Sequence, residues 1–172
     1  MFHKTRLGMA AAVVSLGLVA TSAPAATALP DWRTTPTTRT NDRAHQPKVV
    51  GLRCAEHAHF DRVVIDVKGR RPGYTIRYTK RLSYDGSGDR VPLKGRKKMS
   101  VTLTPAYAHN DSGASVYDGP RLRQLHFPTL RGVAFTGDFE GHVTFGFTTD
   151  RRAPYRIFTL TNPSRVVVDW HH

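Results

Sequence analysis

From Pro47 onward, apolar residues fall on every second position in short runs, and Gly, Pro, Asn and Asp break the runs apart. This is the period of strands with one buried face. It predicts strands over residues 49–55, 62–67, 74–79, 99–104, 122–127, 132–135, 141–149, 155–161 and 165–170. Met99, Val101 and Leu103 alternate with Ser100, Thr102 and Thr104; Tyr74, Ile76 and Tyr78 alternate with Thr75, Arg77 and Thr79. No stretch has a convincing helical period, although residues 105–110 have room for one turn. Eight or nine short strands in this span imply an all-β, single β-sandwich-like domain. A chain of that length can bury a core without disulfides or metal.

One strand pattern occurs twice. Arg62-Val63-Val64-Ile65-Asp66-Val67 returns as Arg165-Val166-Val167-Val168-Asp169-Trp170. Val63, Ile65 and Val67 point inward in the first copy, and Val166, Val168 and Trp170 in the second. This pseudo-repeat suggests a domain closed by related halves. Within each copy the Arg and Asp share a face but stand about 13 Å apart at roughly 3.3 Å per residue, too far to pair. If the copies are antiparallel neighbours, Arg62 meets Asp169 and Arg165 meets Asp66.

The first residues read differently. Lys4 and Arg6 precede a small-apolar run over 7–20, and Ala23-Pro24-Ala25 and Ala26-Thr27-Ala28 both fit the small-x-small cleavage rule. Residues 1–28 are therefore expected to be a signal peptide cleaved after Ala25 or Ala28. The run is too short and too rich in Ala and Gly for a membrane span. A secreted protein, extracellular or wall-associated and without a stable membrane anchor after cleavage, follows. Residues 29–46, rich in Thr and Pro and without periodicity, read as a disordered linker. The β domain then occupies 47–172.

Charge narrows the partners. The formal net charge is +13, and removing Lys4 and Arg6 lowers it by two. A surplus of that size attracts polyanions. Export argues against nucleic acid and leaves cell-wall polyanions, carboxylate-bearing glycans and anionic headgroups. Arg70-Arg71, Lys80-Arg81, Arg96-Lys97-Lys98 and Arg151-Arg152 all fall at predicted turns, where the ends of a sandwich can gather them. Tyr74, Tyr78, Tyr84 and Tyr107 are candidate flat surfaces for sugar rings. The ligand-binding set expected from this reasoning is Arg70, Arg71, Tyr74, Arg77, Tyr78, Lys80 and Arg81.

Other chemistry has weaker support. Cys54 is the one cysteine, so an internal disulfide is excluded; its parity with Val50 and Leu52 makes it a small buried apolar side chain. A scaffold protein using Cys54 for cross-linking is the alternative. Asp85-Gly86-Ser87-Gly88-Asp89 resembles the start of a calcium loop, but its glycine is misplaced and the twelfth position is Arg96. Asp138 and Glu140 stand two apart, the spacing at which an extended segment presents two carboxylates together for general acid and base work. A small hydrolase built on them is a further alternative. His57 and His59 lack the spaced partners that zinc needs. No metal, cofactor or catalytic residue is expected.

His59-Phe60-Asp61-Arg62-Val63-Val64-Ile65-Asp66, Pro72-Gly73-Tyr74-Thr75-Ile76-Arg77-Tyr78, Asp138-Phe139-Glu140-Gly141 and the closing Leu160-Thr161-Asn162-Pro163-Ser164-Arg165-Val166-Val167-Val168-Asp169 resemble the AMIN-like domain of secreted actinobacterial proteins. The resemblance covers residues 48–170. The related AMIN domain precedes wall amidases and secretion-pore proteins, as a two-sheet β module implicated in peptidoglycan binding and localisation. The resemblance implies a secreted non-catalytic binding module whose partner is peptidoglycan or another wall polymer. No amidase segment accompanies the domain in this sequence.

Overall fold

The two copies of the repeated strand lie side by side. In the computed structural model, which describes residues 28–172, Phe60–Lys68 and Arg165–His171 pair antiparallel, with Arg62 opposite Asp169 and Arg165 opposite Asp66. Of the segment expected to be an export signal, all but Ala28 lies outside the described residues. Ten strands and no helix are present among the described residues: β1 Thr37–Arg39, β2 Lys48–Glu56, β3 Phe60–Lys68, β4 Gly73–Thr79, β5 Lys97–Thr104, β6 Leu122–Gln124, β7 Leu130–Phe139, β8 His142–Thr149, β9 Tyr155–Leu160 and β10 Arg165–His171. They form two antiparallel sheets, a six-stranded one in the order β1-β4-β5-β8-β7-β6 and a four-stranded one in the order β2-β3-β10-β9. The repeat therefore makes the two central strands of the smaller sheet rather than marking two related halves.

The core lies between the sheets. Val63, Ile65, Val166, Val168 and Trp170 of the small sheet face Ile76, Met99, Val101, Phe145 and Phe147 of the large one, all of them fully buried. Trp170 packs its ring 5.3 Å from that of Phe147, and its Nε1 donates to the Met99 Sδ at 3.0 Å. A second apolar cluster sits on the opposite face of the large sheet. There the β4–β5 connection folds back, laying Leu82, Val91 and Leu93 against Ala134. The Asp85–Asp89 stretch is a turn within this connection, tied by Thr144 Oγ1 donating to the Asp85 carboxylate.

Several local expectations are corrected. The segment 29–46 is not a disordered linker throughout: Thr37–Arg39 pair with β4, and the Arg33 and Tyr155 backbones exchange two hydrogen bonds. Composition hides this because backbone ladders and one aromatic hold the segment, not an apolar face. The Trp32 ring lies 4.3 Å from the Arg156 guanidinium and edge-on to His171, a geometry that favours a cation on a ring face. A β-bulge between Val49 and Gly51 shifts the parity of β2, so Val49 and Leu52 are buried while Val50 is not. Residues 105–110 form no helical turn; Tyr107 bridges Lys48, and its amide and carbonyl bond the Pro47 carbonyl and the Val49 amide. The strand expected over 122–127 stops at Gln124, because the Leu125 amide turns back to the Arg131 carbonyl.

Gly73 shows how tightly β1 is held. A Cβ there would stand 2.7 Å from the carbonyl oxygens of both Arg39 and Thr104, backbone atoms of the flanking strands. Gly73→Ala must part β4 from one neighbour. The expected loss is about 1–3 kcal/mol, read as a lower urea midpoint at unchanged slope. Gly86→Ala, with nothing within 4 Å of the new methyl, should stay within about 0.5 kcal/mol.

Candidate functional site

Three of the four basic turns meet at one end of the large sheet. Lys80 follows β4, Arg96, Lys97 and Lys98 open β5, and Arg152 lies between β8 and β9; with Tyr78 they line one open groove of about 460 Å³. Strand register produces the convergence. Lys98 sits opposite Thr79 on one side and Thr148 on the other, and Lys97 sits opposite Thr149. The Arg96 amide donates to the Thr149 carbonyl at 2.9 Å, which fixes the start of the turn.

Five cationic residues and no carboxylate line the groove. Two like charges ~7 Å apart in water repel by about 0.6 kcal/mol, so the clustering is tolerable on an exposed surface and relieved by a bound anion. Arg152 is the most constrained of the five. Its guanidinium lies 4.8 Å from the Tyr78 ring, and its Nη2 donates to the Thr34 carbonyl at 3.1 Å. Arg96 also lines the adjoining cleft with Lys94, Arg131 and His126, so the cationic surface continues past the groove. Asp150, in that second cleft, is paired with Arg151 at 3.1 Å.

The residues expected from sequence divide among several places. Tyr78 and Lys80 line the groove. The Tyr78 hydroxyl, however, points inward and donates to the Ala153 carbonyl at 2.7 Å, and burial pushes it up to about 12. Tyr74 belongs to the core at 6% exposure, with its hydroxyl donating to the Ile157 carbonyl. The Tyr74 ring is withdrawn into the core by the inward parity it shares with Ile76, and the half-buried Tyr78 ring is faced by the Arg152 guanidinium. Arg77 is on the opposite face of β4 from the two tyrosines and is exposed. Arg81 Nη2 caps the Gly88 carbonyl of the β4–β5 connection. Arg70 and Arg71 line a separate cleft with Arg43. The residues missed in that set, Arg96, Lys97, Lys98 and Arg152, carried the signal of basic clusters at turns; which turns share an end of the sandwich is a matter of topology.

The alternative chemistries find other structural uses. Glu140 takes a left-handed conformation, φ 47°, beside Gly141 at 75°, in the tight β7–β8 turn. It is exposed, whereas Asp138 is drawn in and bonded to His109 Nδ1 at 2.6 Å, with its Oδ1 buried and unpartnered. The two carboxylates do not form a facing pair. Cys54 is half-buried against the core, and burial pushes its thiol up to about 11, which disfavours the thiolate form that cross-linking chemistry uses.

The small sheet carries a more buried charge cluster on its outer face. The Asp169 carboxylate, fully buried, accepts from Arg62 Nε and Nη2 at 2.6 and 2.8 Å and from Arg156 Nε at 2.8 Å. Phe60 lies within 4.8 Å of the Arg62 guanidinium and 5.3 Å of that of Arg156. Thus one of the two cross-strand pairs foreseen from the repeat is formed. In the other, Asp66 is taken by Arg53 at 2.7 and 2.8 Å, and Arg165 Nε donates instead to the Pro163 carbonyl. Asp61, on the inward face of β3, accepts from the Thr129 and Leu130 amides and bonds His172 Nε2.

In comparison with known families, the model of the AMIN-like domain matches residues 47–172. No curated protein matches the chain at a significant level.

Proposed function

The chain belongs to the AMIN-like domain family, and from that premise we propose that it is a secreted, non-catalytic binding module that attaches to an anionic polymer of the cell wall. The family relation supports the cell-wall setting. The observation that carries the choice of ligand charge is the groove of Lys80, Arg96, Lys97, Lys98 and Arg152, five cations from three turns with no carboxylate among the lining residues. The polymer lies along the groove with its charged groups spaced between these side chains, and Arg96 passes it on toward Lys94 and Arg131. Binding of this kind works by displacing counterions, is tolerant of ligand sequence and falls with salt. The rings of Tyr74 and Tyr78 take no part in it.

Co-sedimentation of the protein with purified cell walls tests the reading. Retention is expected at about 50 mM salt and loss at about 1 M, where the screening length is about 3 Å. Five displaced counterions give a slope near −3.5 in log affinity against log salt, taking roughly 0.7 per contact. The double charge reversal Lys97→Glu/Lys98→Glu should remove retention at low salt while the thermal midpoint stays close to wild type. No retention of the wild type at low salt would sink the proposal.

A further inference from the structure

We propose a second binding site at the free edge of β9, one that takes the C-terminal end of an extended peptide. β9 is the outer strand of the small sheet. The Tyr155 amide and carbonyl both bond Arg33, so they point away from β10. By the two-residue period, Ile157 and Thr159 direct their backbone groups the same way. The Ile157 carbonyl receives the Tyr74 hydroxyl. Thr159 stands opposite Val166 in the β9–β10 ladder, and among the described residues no backbone hydrogen bond from outside that ladder reaches its amide or carbonyl. An unpaired edge of this sort is a template for strand addition. Because Arg33 occupies its beginning, the open part accommodates two or three residues, the reach of a chain end rather than of a long strand.

The cleft beside this edge supplies the rest of the recognition. It measures about 470 Å³, and its lining combines Arg39, Arg71 and Arg165 with the apolar Leu29, Phe158 and Leu160, Arg165 standing opposite Leu160. The three arginines come from β1, the β3–β4 turn and the start of β10. No carboxylate lines the cleft. The broken symmetry of the repeat leaves Arg165 available, since Asp66 opposite it is held by Arg53. Arg71 is already oriented, its Nη1 donating to the Thr159 side chain at 3.1 Å. A planar carboxylate matches guanidinium forks in a way that one lysine would not. The peptide's main chain thus pairs with Thr159, its terminal carboxylate lies among the arginines, and its last side chain rests on Phe158 and Leu160. Both expected signal-cleavage positions leave Leu29 and Pro30 in place.

The test uses the full chain, immobilised, and two pools of random pentapeptides that differ in ending as free carboxylates or as carboxamides. The carboxylate pool should be enriched at least about tenfold over the other, a difference of about 1.4 kcal/mol, with apolar residues favoured at the last position. Arg39→Gln/Arg71→Gln/Arg165→Gln should abolish the enrichment. Thr159→Pro, which removes the outward N–H and is tolerated on an edge strand, should abolish it too, whereas Thr159→Ser, which keeps both the N–H and the hydroxyl that holds Arg71, should keep it. Lys97→Gln/Lys98→Gln should leave it unchanged, which separates this site from the groove. Equal recovery of the two pools, or enrichment that survives the triple arginine variant, would overturn the proposal. So would binding of phosphatidylglycerol vesicles through the same arginines with no peptide enrichment.

Discussion

Asp169→Ala should lower the stability of the domain by about 3–5 kcal/mol, the cost of removing one partner from a buried ion pair. In a domain of this size that shifts the thermal midpoint down by about 10–20 °C. The carboxylate is fully buried and accepts three hydrogen bonds, while the side chains of Arg62 and Arg156 keep only 27% and 12% of their exposure. Its loss leaves two cations facing each other beneath Phe60 and Trp32 with no counter-charge. Asp169→Asn keeps the shape but not the charge and should cost nearly as much. Asp66→Ala is the contrast: its partner Arg53 is 62% exposed, and such pairs contribute at most about 1 kcal/mol. Thermal unfolding of the three variants by circular dichroism reads the difference directly. The buried pair thus takes its Arg from one copy of the Arg-Val-Val-x-Asp motif and its Asp from the other, while Asp66 pairs with an exposed Arg53 and Arg165 meets no carboxylate.

The neighbouring residue should matter as much from the other side of the sheet. Trp170→Ala is expected to cost about 3–5 kcal/mol, transfer energy plus the cavity left behind. Trp170 has no exposed surface and spans the gap to Phe147 and Met99, so its removal opens the centre of the sandwich. Trp170→Phe retains much of the apolar volume while giving up the contact to the Met99 sulfur, and should lose clearly less. Urea denaturation at constant slope is the measurement. A loss under about 1 kcal/mol for the alanine variant would mean that the two sheets do not depend on this contact.

How far these features could be read in advance depends on the forces behind them. Strand positions were legible because side-chain alternation is local: Val63, Ile65, Val166, Val168 and Trp170 all face the core as their spacing indicates. The pairing of Arg62 with Asp169 was also legible, since a short repeat of opposite charges constrains antiparallel neighbours. The failure of Arg165 to meet Asp66 was not, because Arg53 competes from β2 and a β-bulge sets its register. β1 escaped notice because Thr37–Arg39 have no buried apolar stripe and are held by ladder bonds and the pinch at Gly73. The inward parity that Tyr74 and Tyr78 share with Ile76 draws the first into the core and half-buries the second, a packing demand that aromatic character alone does not reveal. The groove itself was half visible. Its cations stand out as clusters at turns, but three turns far apart in the chain are brought to one end only by the strand order β4-β5-β8.

That convergence, rather than the overall positive charge, is what holds the protein to the wall in the proposed function, and one comparison isolates it. Two variants carry the same loss of four charges: Lys80→Gln/Arg96→Gln/Lys97→Gln/Lys98→Gln in the groove, and Arg43→Gln/Arg70→Gln/Arg90→Gln/Arg123→Gln elsewhere on the exposed surface. Affinity for purified cell walls at about 50 mM salt is measured for both beside the wild type. The groove variant should lose retention while the second stays near wild type. Equal losses in the two would show that net charge alone draws the protein to the wall, and would contradict the proposal.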